Sequence, residues 1–207
     1  MAIRLGDNIN IATSTQQPGG LLNLQKGQLL NLTKSAPGLK NVVLAGGWDP
    51  NVQASENFDI DIAALLLNAN GKVANIPNDV IFFNNRSSKG IEIDGDNRSG
   101  IGEGDDERIR INLNQLDPSV ERIVFVVTIF DAISRRQSFK MVQNAYVRLL
   151  DVEQNEKEIL RYNLQQDGTD NTAVIFAELT RINGDWNFKA VGDPRIADLN
   201  GILTMYI

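Results

Sequence analysis

Residues 122–129 read Arg-Ile-Val-Phe-Val-Val-Thr-Ile, a run built almost wholly from β-branched and aromatic residues. Such side chains lose rotamer freedom in a helix and pack well on a pleated surface, so this run is expected in the middle of a sheet. Shorter runs of the same kind recur along the chain. Strands are expected at Val42–Ala45, Phe58–Leu67, Val80–Phe83, Ile91–Ile93, Arg108–Asn112, Ala145–Asp151, Glu158–Tyr162, Ala173–Leu179 and Trp186–Ala190. Turn residues separate them, at Asn68-Ala69-Asn70-Gly71, Asn155, Asp167-Gly168 and Asn183-Gly184-Asp185. Phe58–Leu67 alternates at first, with Phe58, Ile60 and Ile62 on one face, and then turns continuously apolar, as a central strand does. One helix is expected over Ala132–Asn144, where Ile133, Phe139 and Val142 fall roughly on one side, and a short helix followed by a tail over Pro194–Ile207. The expected fold class is mainly β, a two-sheet β-sandwich with one or two short helices.

The breaker cluster Gln16-Gln17-Pro18-Gly19-Gly20 divides an N-terminal arm, 1–23, from a single domain, 24–207. Ile3–Ile11 and Leu24–Leu32 resemble each other weakly. Two readings stand: a chance likeness of short edge strands, or an extra strand that pairs with a neighbour or a second copy of the chain.

Composition removes several chemistries. With no cysteine and no histidine, the chain holds no disulfide, no thiolate or imidazole metal ligand, and no Ser-His-Asp triad. A net charge of −6 without any basic run argues against nucleic acid and against anionic membrane surfaces as partners. No signal-like or bilayer-spanning apolar stretch is visible, and the expected compartment is the cytoplasm.

Residues 94–107 carry six acidic side chains in fourteen positions, interleaved with glycine. Mutual repulsion at this density is costly unless cations are present, and hard oxygen donors on a glycine-rich loop suit calcium better than transition metals or magnesium. The other reading is a solvated acidic loop. The stretch is not an EF-hand, because Arg98 and Ser99 fall where that loop needs a ligand and a glycine. Asp59 and Asp61 stand at i and i+2 on a strand, roughly 6.6–6.8 Å apart on the face opposite Phe58, Ile60 and Ile62. A loop folded over that face would unite the two acidic groups, or the pair simply faces water. Asp49, in Gly46-Gly47-Trp48-Asp49, is a secondary candidate, since that segment also reads as a packed turn.

These residues fall within a longer series of motifs. They include Lys34-Ser35-Ala36-Pro37-Gly38-Leu39, Gly46-Gly47-Trp48-Asp49, Phe58-Asp59-Ile60-Asp61-Ile62-Ala63, Leu67-Asn68-Ala69-Asn70-Gly71-Lys72 and Phe82-Phe83-Asn84-Asn85. Gly95-Asp96-Asn97-Arg98-Ser99-Gly100, Gly104-Asp105-Asp106-Glu107, Ile123–Ile129 and Arg136-Gln137-Ser138-Phe139 follow. In this order, over about residues 24–192, the chain resembles the TerD family of tellurium-resistance and general stress proteins. The resemblance implies a two-sheet β fold that binds calcium through Asp59, Asp61, Asp96, Asn97, Glu103, Asp105, Asp106 and Glu107, with the carbonyls of Ile60 and Gly102 as added ligands. It implies a non-enzymatic binding or scaffold role in resistance to tellurite, phage, colicins and other stresses. A membrane-embedded partner of the same operon, met at the inner membrane face, is implied too. The chain departs from the family pattern in its arm, in Ala45-Gly46-Gly47 where the family has glycine-leucine-glycine, and in the tail from Asp193.

Two other functions use the same residues. A metal-dependent phosphoesterase-type hydrolase would hold magnesium or manganese on the carboxylates with Arg98 nearby. A structural assembly subunit would add its arm strand to a neighbour's sheet, giving a homo-oligomer. Phosphate-loop, dinucleotide-loop, glycosidase and Ser88-Lys89 dyad chemistries fit the residues poorly.

Overall fold

The computed structural model describes residues 22–23, 26–50, 57–94, 99, 101, 104–164 and 170–207. Two sheets face each other. In chain order the strands are β1 (Leu22–Asn23), β2 (Leu29–Asn31), β3 (Asn41–Gly47), β4 (Ile60–Leu67), β5 (Val80–Ile81), β6 (Ser87–Ser88) and β7 (Ile91–Asp94). They continue with β8 (Glu107–Asn112), β9 (Arg122–Ile129), β10 (Tyr146–Asp151), β11 (Lys157–Asn163), β12 (Ala173–Ile182) and β13 (Asp185–Arg195). The seven-stranded sheet has the order β1-β11-β10-β3-β8-β7-β6, and the six-stranded sheet β2-β13-β12-β9-β4-β5. Only the β1–β11 pairing is parallel among the described strands. This is the mainly β, two-sheet architecture expected.

Alternation explains the layers. Ile60, Ile62, Ala64 and Leu66 of β4 and Ile123, Phe125 and Val127 of β9 point between the sheets, against Val42, Leu44, Ile109, Ile111 and Leu149 of the other. The other face of β4 and β9, with Leu65, Leu67, Val124 and Val126, is buried as well. It lies under the C-terminal helix α3 (Leu199–Leu203), whose Ile202 is 1% exposed. Coverage on both faces is why these two strands read as unbroken apolar runs.

The expected helix over Ala132–Asn144 is corrected. Two four-residue helices occur, α1 (Leu32–Ser35) and α2 (Ala132–Arg135), and α2 stops at Arg136, which takes a left-handed φ of 54°. A separate 3-10 turn follows at Phe139–Met141. The apolar residues that suggested one face do not share one: Ile133 is 72% exposed, whereas Phe139 and Val142 enter the core. The tail is also more ordered than its weak motifs suggest. β13 runs to Arg195 and α3 begins at Leu199, its N-terminus capped by Asp198 through the Gly201 N–H. The arm up to residue 21, and the Asp167-Gly168 turn, lie outside the described residues.

Candidate functional site

β5 pairs with β4 at Ala64 and Leu65, and Asp79 and Val73 meet Leu66 and Leu67, so on that edge of β4 the Ile60–Ile62 end is left without a strand partner. The Ile62 N–H lies on the open part and donates to Glu107 Oε2 at 2.7 Å. An unpaired strand edge is costly when buried, and Glu107, the first residue of β8 in the opposite sheet, satisfies it. Glu107 is 2% exposed. By strand alternation the Ile60 carbonyl leaves β4 on the same edge as the Ile62 N–H. The two sheets come close here because Gly46 of β3 has no side chain: a Cβ would stand 2.6 Å from Ile62 Cδ1. Gly47 is constrained independently, since its Cβ would meet the Tyr146 ring at 2.7–2.9 Å. These contacts account for the Gly46-Gly47 pair.

Asp59 and Asp61 alternate away from the inter-sheet core, as the period of two requires. The Asp59 carbonyl accepts from the Phe130 N–H at 2.7 Å. Asp61 sits opposite Thr128 of β9 and is 6% exposed. Ile60, between them, is packed in the core.

The end of the acidic stretch divides. The Asp105 side chain goes to the outer face of the seven-stranded sheet, where Arg148 holds both oxygens: Nε donates to Oδ1 at 2.8 Å and Nη2 to Oδ2 at 2.9 Å. The Tyr146 hydroxyl stands 3.1 Å from Asp105 Oδ1 and 3.1 Å from the Gly104 carbonyl. Arg148 also donates to Glu158, which Arg161 holds through two bonds, and the Arg161 guanidinium lies 4.2 Å from the Tyr146 ring centroid. Bonds from Arg161 and then Arg148 keep the Glu158 carboxyl below its usual range, against the opposing effect of burial. Burial, and then Asp105, push the Tyr146 hydroxyl up.

Asp106 turns back along β3. Its N–H donates to the Gly46 carbonyl at 2.8 Å and its Oδ2 accepts from the Trp48 N–H at 2.9 Å. Its pKa is raised, first by burial, with the charges of Asp105 and Asp49 adding and the Trp48 bond opposing. Asp49 Oδ2 accepts from the Asn144 side chain at 2.7 Å, and the Asp49 N–H donates to the Gln143 carbonyl. Gly46 and Gly47 thus end β3, Trp48 packs beyond them at 6% exposure, and Asp49 adds to the negative field at Asp106.

The structure thus brings Glu107 to the strand that carries Asp59 and Asp61, and brings Asp49, Asp105 and Asp106 near one another. It separates Asp105 from Glu107, which face opposite sides of their sheet. Asp96, Asn97, Gly102 and Glu103 lie outside the described residues. Among the described residues, no three acidic side chains are grouped closely enough to hold a metal on their own. Sequence reasoning missed Tyr146, Arg148, Glu158 and Arg161. Alternation in Tyr146-Val147-Arg148 puts Tyr146 and Arg148 on one face, yet nothing local names Asp105 as their partner.

The TerD-domain profile matches residues 21–206. The chain belongs to the TerD family. The match reaches past Asp193, where the motif-by-motif resemblance ends, and so includes the tail that forms α3. Among TerD relatives, the tellurium resistance protein TerD of Serratia marcescens is 43% identical over 187 residues, 89% of this chain and 96% of that protein. General stress protein 16U of Bacillus subtilis is 44% identical over 188 residues, again 89% and 96%. A crystal structure of a TerD homologue from Streptomyces coelicolor superposes with a TM-score of 0.68 at 27% identity, covering 79% of this chain and 94% of that one. The structure of SAV2460, a protein of unknown function, gives 0.69 at 27% identity, over 80% and 95%. The two relatives are named as tellurium-resistance and general stress proteins, and this chain shares its fold with the two solved structures. No helix among the described residues is long and apolar enough to cross a membrane.

Proposed function

We propose that this TerD-domain chain is a calcium-binding module of a tellurium-resistance or general stress response, acting as a scaffold and not as an enzyme. The bond from the Ile62 N–H to Glu107 Oε2 carries the reading. It ties the end of the acidic stretch to the strand that carries Asp61, and both Glu107 and Asp61 are almost fully buried. The donor set fits a hard cation: carboxylates, a strand-edge carbonyl at Ile60, and neither imidazole nor thiolate anywhere in the chain. Asp59, Asp61, Asp106, Glu107 and the Ile60 carbonyl would hold the ion, joined, as the TerD resemblance implies, by Asp96, Asn97, Glu103 and the Gly102 carbonyl. Asp105 enters as the anchor of the stretch through Arg148. Calcium would supply the charge that offsets the clustered carboxylates.

As the TerD resemblance implies, the scaffold would meet a membrane-embedded partner at the inner membrane face. Isothermal titration with calcium and magnesium, paired with thermal melts in EDTA and in calcium, tests the reading. Calcium at about a hundred times its Kd should add about 2.7 kcal/mol. Asp61→Asn should abolish most of that gain. A melt unmoved by either EDTA or calcium would reject the proposal, and phosphoester hydrolysis lost in Asp61→Asn would favour a hydrolase instead.

A further inference from the structure

Beside Asp61, on the outer face of the six-stranded sheet, lies a cavity of about 350 Å³. Three phenylalanines form one part of its wall. Phe82 and Phe83 meet edge to face at 5.3 Å, Phe83 and Phe130 at 5.9 Å, and Phe130 is 42% exposed. Three carboxylates stand on the same cavity, Asp61 on β4, Asp131 just before α2 and Asp198 just before α3. Thr128 also lines it. This threonine is 5% exposed. A threonine hydroxyl can both donate to and accept from a ligand's polar group.

This lining selects a class of ligand. An anion is excluded by three carboxylates. A bare metal ion would find only part of the oxygen shell it needs, with aromatic rings over the remainder. A neutral apolar molecule would leave the carboxylate field unused. An organic cation with an apolar stem uses both, since its stem covers the rings, its charge meets the aspartates, and ring faces attract cations. The chain demonstrates that attraction itself: the Arg135 guanidinium, which does not line the cavity, rests 5.4 Å from the Phe130 ring centroid. We propose that the Phe82-Phe83-Phe130 cavity, with Thr128, Asp131 and Asp198, is a binding site for an alkylammonium group. The inference does not rest on calcium binding.

Two substitutions isolate the charge. Asn tolerates the left-handed φ of 56° at Asp131, and Asn caps a helix as well as Asp does at position 198, so Asp131→Asn and Asp198→Asn remove charge while keeping the backbone. The full ¹⁵N-labelled chain is titrated in EDTA with pentylammonium chloride, with neutral 1-pentanol, and with N-acetyl-lysine N′-methylamide. Saturable shifts are expected at the Thr128, Ala132 and Leu199 amides with at least one amine, and 1-pentanol should bind far more weakly. Each Asn variant should weaken the amine by about threefold, the double variant by more. Binding of pentylammonium alone would identify a free amine as the ligand, and binding of the lysine derivative alone a lysine side chain of a partner polypeptide. Equal binding of 1-pentanol, an unaltered affinity in the folded double variant, or no saturable shift with either amine would overturn the proposal.

Discussion

Both sheets of the sandwich have an outer face to cover, and they cover it with different chemistry. The six-stranded sheet hides Leu65, Leu67, Val124 and Val126 under α3 and neighbouring apolar residues. The seven-stranded sheet lays charged side chains over its outer face: Arg148 joins Asp105 to Glu158, Arg161 holds Glu158, Arg108 pairs with Glu156, and Arg110 pairs with Asp94. Small apolar residues, Val43 and Ala45, lie buried beneath with Leu150. Apolar cover depends on fit and is indifferent to salt and pH, whereas a charged lattice responds to both. The acidic end of the molecule is fastened to the second kind of cover, through Asp105.

The largest effect should come from the apolar side. Ile202→Ala should destabilise the fold by about 2–5 kcal/mol in urea unfolding, with little dependence on salt. An intermediate effect is expected from Arg148→Ala, which leaves Asp105 buried without its bidentate partner, at about 2 kcal/mol. Adding Asp105→Asn to that variant should recover part of the loss, and a double-mutant cycle measures the coupling. The smallest effect is pH-dependent. Because the Glu158 pKa is lowered in the fold, its contribution is complete above its ordinary value of 4.5 and fades as pH falls through the lowered one. Glu158→Gln should therefore cost less than about 1 kcal/mol at neutral pH and flatten the acid limb of the melting profile. If Ile202→Ala proved salt-sensitive, or the acid limb were unchanged in Glu158→Gln, the contrast between the faces would fail.

Local pattern made the strands legible, because a period of two and β-branched runs act within a few residues. Arg122–Ile129 forms a strand with the expected bounds. β12 and β13 extend further than expected because their added ends are held by the partner strand and not by their own apolarity: Thr180–Ile182 pairs with Asp185–Asn187, and Asp193–Arg195 with Ala173–Ile175. The helix over Ala132–Asn144 failed because spacing alone cannot show that Arg136 turns left-handed and sends Ile133 outward while Phe139 goes in. The face shared by Asp59 and Asp61 was legible from alternation. The partners of Glu107 and Asp105 were not, since Ile62 lies 45 and Arg148 43 residues away in the chain and only the folded sheets bring them together.

The adjacent glycines of β3 have a further consequence. Gly46 admits the tip of Ile62 and Gly47 admits the ring of Tyr146, each from a different side of one strand. The gap between layers at the carboxylate-rich pole is thus set by the methyl group missing at Gly46, and the seat of the Tyr146 ring on the outer face by the one missing at Gly47. Bulk added at Gly46 would push the layers apart at that pole, and bulk added at Gly47 would displace the tyrosine whose hydroxyl meets Asp105.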